Sequence, residues 1–101
     1  LSLLAVIQCQ LMGGFTERPD LIKSPATRSM INLAMNQYKA TENLRLLPVD
    51  VLHVATQVVN GVNYRIIFTA HPTSADNVFV CTAKVYQSFA GARSVSSINC
   101  V

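Results

Sequence analysis

The stretch QVVNGVNYR, residues 57–65, reads as two strands joined by a tight turn. Asn60-Gly61 is the strongest short-range hairpin signal, because a type I′ turn requires positive φ at both central residues. Asn tolerates that conformation and Gly adopts it without steric cost. Gln57-Val58-Val59 before the turn and Val62 to Phe68 after it are rich in β-branched and aromatic residues, which suit half-buried strands. Upstream, Leu52, Val54, Thr56 and Val58 alternate against His53, Ala55 and Gln57; downstream, Tyr64, Ile66, Phe68 and Ala70 share one face. The segment HPTSADN, residues 71–77, is a polar loop of turn-forming residues. Two further strands follow, from Val78 to Gln87 and from Arg93 to Cys100, with SFAGA between them and Gly91 supplying the turn.

The helical signal lies on the other side of the hairpin. Ser24 suits an N-cap, and Pro25 suits the first helical position, where a missing N–H is no loss. Met30, Ile31, Leu33, Ala34, Met35 and Tyr38 then form an apolar face, opposed by Arg28, Asn32, Asn36, Lys39 and Asn43. The pattern fades between Thr41 and Asn43. One helix and a meander of hairpins each have one apolar face. The expected fold is therefore α+β, with one long helix packed across a four- to five-stranded antiparallel sheet. The residues before the helix are available for an edge strand.

A chain of 101 residues supports one domain with a single core. Half of it is hydrophobic and 13% is charged, which excludes a disordered tail. The net charge is +3, but the eight Lys and Arg are scattered singly, with no basic stripe alternating with aromatics. Nucleic acid is not an expected partner.

The opening run LSLLAVIQC suits the trailing part of a secretory h-region, with cleavage near Cys9. Its competing reading is a buried strand at the edge of the domain. It starts without Met or a positively charged n-region, so the leader expected here is incomplete. The run is too short to span a bilayer, and no membrane association is expected. On the leader reading, residues 1–9 are its remnant and residues 10–101 form the domain, a secreted one. Cys9 then leaves with the leader, and Cys81 and Cys100 remain. In an oxidising compartment they form a disulfide, closing a loop of about 20 residues for roughly 3 kcal/mol in the chain-entropy picture. The cysteines lack CxxC spacing and His53 and His71 lack a ligand pattern, so neither metal nor cofactor is expected.

An enzyme would have to be built from two His, five acids and three Cys. Cys81 with His71 or His53 would make a thiol–imidazole pair, but a mid-strand Cys81 suits a half-cystine better. Glu42 and Asp50 have no second carboxylate at a helical or strand spacing. Phosphate-binding and nucleophile-elbow motifs do not occur. The expectation is a binder or inhibitor, not an enzyme.

Taken together, the helix, the QVVNG turn and the cysteine pair resemble the cystatins, inhibitors of papain-like cysteine proteases, from about Leu11 to Val101. LMGG supplies the family's glycine near the mature N-terminus, as Gly13. QVVNG matches its Gln-x-Val-x-Gly first hairpin loop, continued here, as often in the family, by Asn63-Tyr64. Ala34 to Tyr38 matches an Ala-x-x-x-Tyr stretch of its long helix, and the Cys81–Cys100 spacing resembles the C-terminal disulfide of secreted type 2 members. The Pro-Trp of the second hairpin loop is absent; Ser88-Phe89-Ala90-Gly91 stands there. The earlier type 2 disulfide is also absent. Asn43 falls near the legumain-binding Asn of some relatives, but Glu42 and Leu44 flank it in place of Ser and Asp.

The resemblance implies a reversible, tight-binding competitive inhibitor that wedges a trunk and two hairpin loops into a protease cleft. Leu11 and Met12 would enter the non-primed pockets, and Gly13 would let the backbone bend away. Gln57, Val58, Val59, Asn60 and Gly61 would lie beside the catalytic residues, and Phe89 and Ala90 would cover the primed side. The expected partner is a papain-like cysteine protease, met by a monomer. On this reading Gly61→Glu abolishes binding and leaves the fold largely intact. A non-inhibitory cystatin-fold binding module is the alternative. An isomerase- or lyase-like enzyme would instead need a polar pocket between helix and sheet.

Overall fold

Ser24 starts the helix as its chemistry predicts. In the computed structural model, which describes residues 14–101, Ser24 is extended at φ −71° and its Oγ accepts the Ala26 N–H at 3.3 Å. Helix α1 (Pro25–Glu42) follows, with Pro25 opening it. The buried Thr27 fastens its first turn by donating from Oγ1 to the Leu21 carbonyl at 2.6 Å. The helix ends where Asn43 takes a left-handed φ of 53° and donates its N–H to the Lys39 carbonyl. Met30, Ile31, Ala34, Met35 and Tyr38 face the core. Leu33 does not: it sits at the margin of the stripe and is exposed.

The helix covers one face of a five-stranded antiparallel sheet in the order β1-β2-β3-β4-β5, so the expected fold class is the observed one. The strands are β1 (Thr16–Glu17), β2 (Leu46–Val59), β3 (Gly61–Pro72), β4 (Phe79–Gln87) and β5 (Arg93–Cys100). The pre-helix residues do supply an edge strand, β1, followed by a 3-10 turn at Pro19–Leu21. Cross-strand rows build the core side. Val54 pairs with Ile66, Ile66 with Ala83 and Ala83 with Ile98, while Phe68 pairs with Cys81 and Cys81 with Cys100. Phe68, Ile66, Val54, Cys81 and Val85 are almost completely enclosed against the helix. The Cys81–Cys100 disulfide is formed, across neighbouring strands.

Strand β2 departs from the simple alternation. It begins at Leu46 and includes Pro48, which the ladder tolerates because the register shifts immediately afterwards. Asp50 donates its N–H to Thr69 Oγ1 at 3.1 Å across this shift. A second shift between Val51 and His53 leaves Leu52 without an opposite residue. Val51 thereby packs on the core and Leu52 faces outward, the reverse of its expected grouping with Val54. Strand β3 also runs further than expected, through His71 and Pro72 of the anticipated loop.

The leader reading of residues 1–9, the boundary at residue 10 and the trunk residues Leu11, Met12 and Gly13 lie outside the described residues.

Candidate functional site

The β2–β3 hairpin is tighter than its sequence signal suggests. Pairing continues to Val59 opposite Gly61, so Asn60 alone makes the tip. Positive φ is found at Gly61 (124°) but not at Asn60, so the hairpin is as expected and the type I′ turn is not. Gly61 is needed twice. Its φ disfavours any L side chain, and a Cβ there would collide with the Tyr86 side chain and lie 2.7 Å from the Gln87 carbonyl oxygen. Gly61→Glu would therefore disturb the hairpin itself, and the expectation that it spares the fold does not hold.

Three polar side chains brace this tip from one face of the sheet. Gln57 pairs with Asn63 across the hairpin, and the Asn63 amide donates to Gln57 Oε1 at 3.0 Å. Asn63 in turn pairs with Tyr86 on β4, and the Tyr86 hydroxyl donates to the Asn60 carbonyl. Beyond the braces, Val58 is 73% exposed and Val59 43% exposed.

The second tip follows a different rule. Pairing of β4 with β5 stops at Gln87 opposite Arg93. The Gly91 N–H donates to the Ser88 carbonyl at 2.9 Å, placing Phe89 and Ala90 in the centre of a turn, and Gly91 then takes φ 96°. A turn closed by a left-handed glycine is a common three-residue hairpin connection. The Ser88 N–H also donates to the Ala92 carbonyl at 2.9 Å, and the Ser88 hydroxyl accepts the Ala92 N–H. Arg93 Nε donates to Gln87 Oε1 at 2.8 Å beneath the turn. The Phe89 ring is held outward, 73% exposed.

These tips share one end of the sheet, because Val62, beside the first, pairs with Gln87, beside the second. The N-terminal segment arrives there too. Thr16 lies opposite Thr56 and Glu17 opposite Ala55, so the chain enters β1 from the Val58 side. Phe15 is pinned beneath the Arg65 guanidinium, 4.7 Å from ring centroid to carbon, and the Arg18 N–H donates to the Val54 carbonyl. His53 Nδ1 on β2 lies 3.7 Å from Glu17 Oε1 on β1. Of the residues singled out in the sequence, Gln57 to Gly61 and Phe89-Ala90 are therefore brought together. Asn43 is not: it lies just before β2, whose first residues are at the opposite end of the hairpin.

Elsewhere the chemistry is structural. The Arg18 guanidinium hydrogen-bonds Asp20 and holds that carboxyl below its usual range, while raising its own pKa. Cys81 is committed to its disulfide, so the thiol–imidazole pair does not exist. Among the described residues no three His, Cys, Asp or Glu gather as a metal site, and no helix is long and apolar enough to cross a membrane. A cleft of about 380 Å³ between α1 and the bulged part of β2 is lined by Arg28, Ile31, Asn32, Asp50, Val51 and Phe68. It carries a lone carboxylate.

The sequence reading missed Asn63 and Tyr86. Asn63 was findable, since a hairpin centred on residue 60 places 57 opposite 63. Tyr86 was not, because its position depends on the register between β3 and β4.

A family model for the cystatin domain matches residues 13–95. Among solved structures, the fold is similar to that of mialostatin, a gut cystatin from the hard tick Ixodes ricinus. The TM-score is 0.71 at 20% identity, over 87% of this chain and 97% of that one. It is also similar to a salivary cystatin from the soft tick Ornithodoros moubata, with TM-score 0.63 at 20% identity, over 87% and 96%. No curated protein matches.

Proposed function

The chain belongs to the cystatin family, and we propose that it is a reversible, tight-binding competitive inhibitor of papain-like cysteine proteases. The observation that carries this reading is the convergence of two braced apolar tips and the approach to β1 at one end of the sheet. Val58, Val59 and Phe89 are exposed there without a charge among them, and apolar groups enter a cleft without the several kcal/mol that an unpaired charge costs to bury. Both tips are held in shape by hydrogen bonds before any partner arrives, so little ordering entropy is lost on docking. Gln57 to Gly61 would lie across the catalytic residues and Phe89-Ala90 on the primed side, with Leu11, Met12 and Gly13 on the non-primed side. No covalent step is involved. Each chain carries one such end, and the proposed inhibitor acts as a monomer. The disulfide favours a secreted protein.

Titration of papain with oxidised protein starting at Gln10, followed by cleavage of a fluorogenic peptide, tests the reading. Competitive inhibition at nanomolar concentration or below is expected. Lack of inhibition at tens of micromolar, with the fold verified by circular dichroism, would favour the second reading, a non-inhibitory binding module. The observation on that side is Phe89-Ala90 in place of Pro-Trp.

Removing residues up to and including Gly13 is expected to weaken binding about tenfold or more, chiefly through faster dissociation, because contacts formed only in the docked complex act on the off-rate. Surface plasmon resonance on immobilised papain separates the two rates. An unchanged dissociation rate would remove Leu11 and Met12 from the binding surface.

A further inference from the structure

We propose that Tyr86 is a positioning residue for the first hairpin tip, holding from the second hairpin the loop that the inhibitory reading above sends into the cleft. Two contacts converge on it. Its hydroxyl donates to the carbonyl of Asn60, the tip residue between the last paired positions. Its ring occupies the space that a side chain at position 61 would need. Gly61 and Tyr86 are thus complementary: the missing Cβ is what lets the ring close against the tip. The ring lies on β4, and its cross-strand neighbour Asn63 is the residue that holds Gln57. Gln57, Asn63 and Tyr86 therefore form one row beneath Val58-Val59-Asn60.

Gln57 belongs to the stretch placed against the cleft, whereas Tyr86 acts on that stretch through Asn60 and through its neighbour Asn63, so the effect of Tyr86 on a partner is indirect. A tip that samples other shapes is competent only part of the time, and apparent affinity falls by that fraction. Residue 87 extends the coupling, because the Gln87 side chain is held by Arg93 on the second hairpin. Strand β4 thus contacts both tips.

Tyr86→Phe is the test, since it keeps the ring and removes only the hydroxyl. In the free protein, amide hydrogen exchange at residues 59–62 should accelerate while the rest of the sheet keeps its protection. Association with papain should slow by about two- to tenfold, the worth of one lost hydrogen bond, with the unfolding temperature within a few degrees of wild type. Tyr86→Ala, which also removes the ring, should enlarge both effects. Unchanged exchange at the tip would overturn the proposal. So would faster exchange at the tip with unaltered association, or a loss of protection throughout the sheet in step with a fall in unfolding temperature. If the wild-type chain itself leaves papain active, the inhibitory reading fails, and the exchange measurement alone decides whether Tyr86 holds the tip.

Discussion

Replacing Val58 and Val59 together by aspartate is expected to raise the inhibition constant for papain by about a thousandfold or more, with the unfolding temperature moving only a few degrees. Both valines are exposed in the free protein, so two carboxylates there remain hydrated and stability is nearly unaffected. In the docked complex the same positions would face the partner with no cation among their own neighbours to pair with. An unpaired charge costs several kcal/mol to desolvate, and every 1.4 kcal/mol is about a factor of ten in affinity. Val78→Asp is the matched control: also an exposed valine, but outside the tips, in the loop before β4. Its potency should equal that of wild type. Full potency in the double variant would remove the first tip from the binding surface. Gly61→Glu cannot serve in its place, because its collision with Tyr86 and Gln87 would confuse loss of contact with loss of the hairpin.

The complementary variant removes the disulfide. With Cys81 and Cys100 both changed to Ala, the unfolded chain regains the freedom of a loop spanning 19 positions, a loss of roughly 3 kcal/mol. For a domain of this size that corresponds to about 10–20 °C in unfolding temperature, which calorimetry measures directly. Inhibition at 25 °C should persist. The disulfide joins the ends of β4 and β5 far from the turn at Ser88 to Ala92, so folded molecules keep both tips. A fall in potency with the protein still folded would show that the β4–β5 pairing sets the second tip. A shift under 3 °C would mean that the strand ladder already confines the two cysteines.

Local chemistry made much of this legible. Ser24 and Pro25 marked the helix start, and Gln57 to Gly61 marked the hairpin, because caps and turns are decided by residues a few positions apart. The pairing of Cys81 with Cys100 needed only a count and a compartment. What escaped depended on neighbours in space. Leu52 looked like a core residue by alternation, yet a bulge set by the pairing of β2 with β3 turned Val51 inward instead. Asn60 looked left-handed, but the tip closed on Gly61 alone once Tyr86 packed beneath it. Leu33 matched the helical period and missed the sheet. In the candidate site the exposed residues were readable and the braces were not.

The strand order also bears on how the chain assembles. Strands β2, β3 and β4 each pair with the next one in sequence through a short connection, so each of these three ladders zips from its own hairpin with little chain to close. Only β1 must wait. Thr16 meets Thr56 across the whole helix and the length of β2, and the reward is a two-residue ladder. The largest loop-closure entropy in the fold thus falls on its shortest strand, which makes β1 the last element to dock and the first to fray. Gly14 and Phe15, the described residues that precede β1, are thus carried by the part of the domain that forms latest.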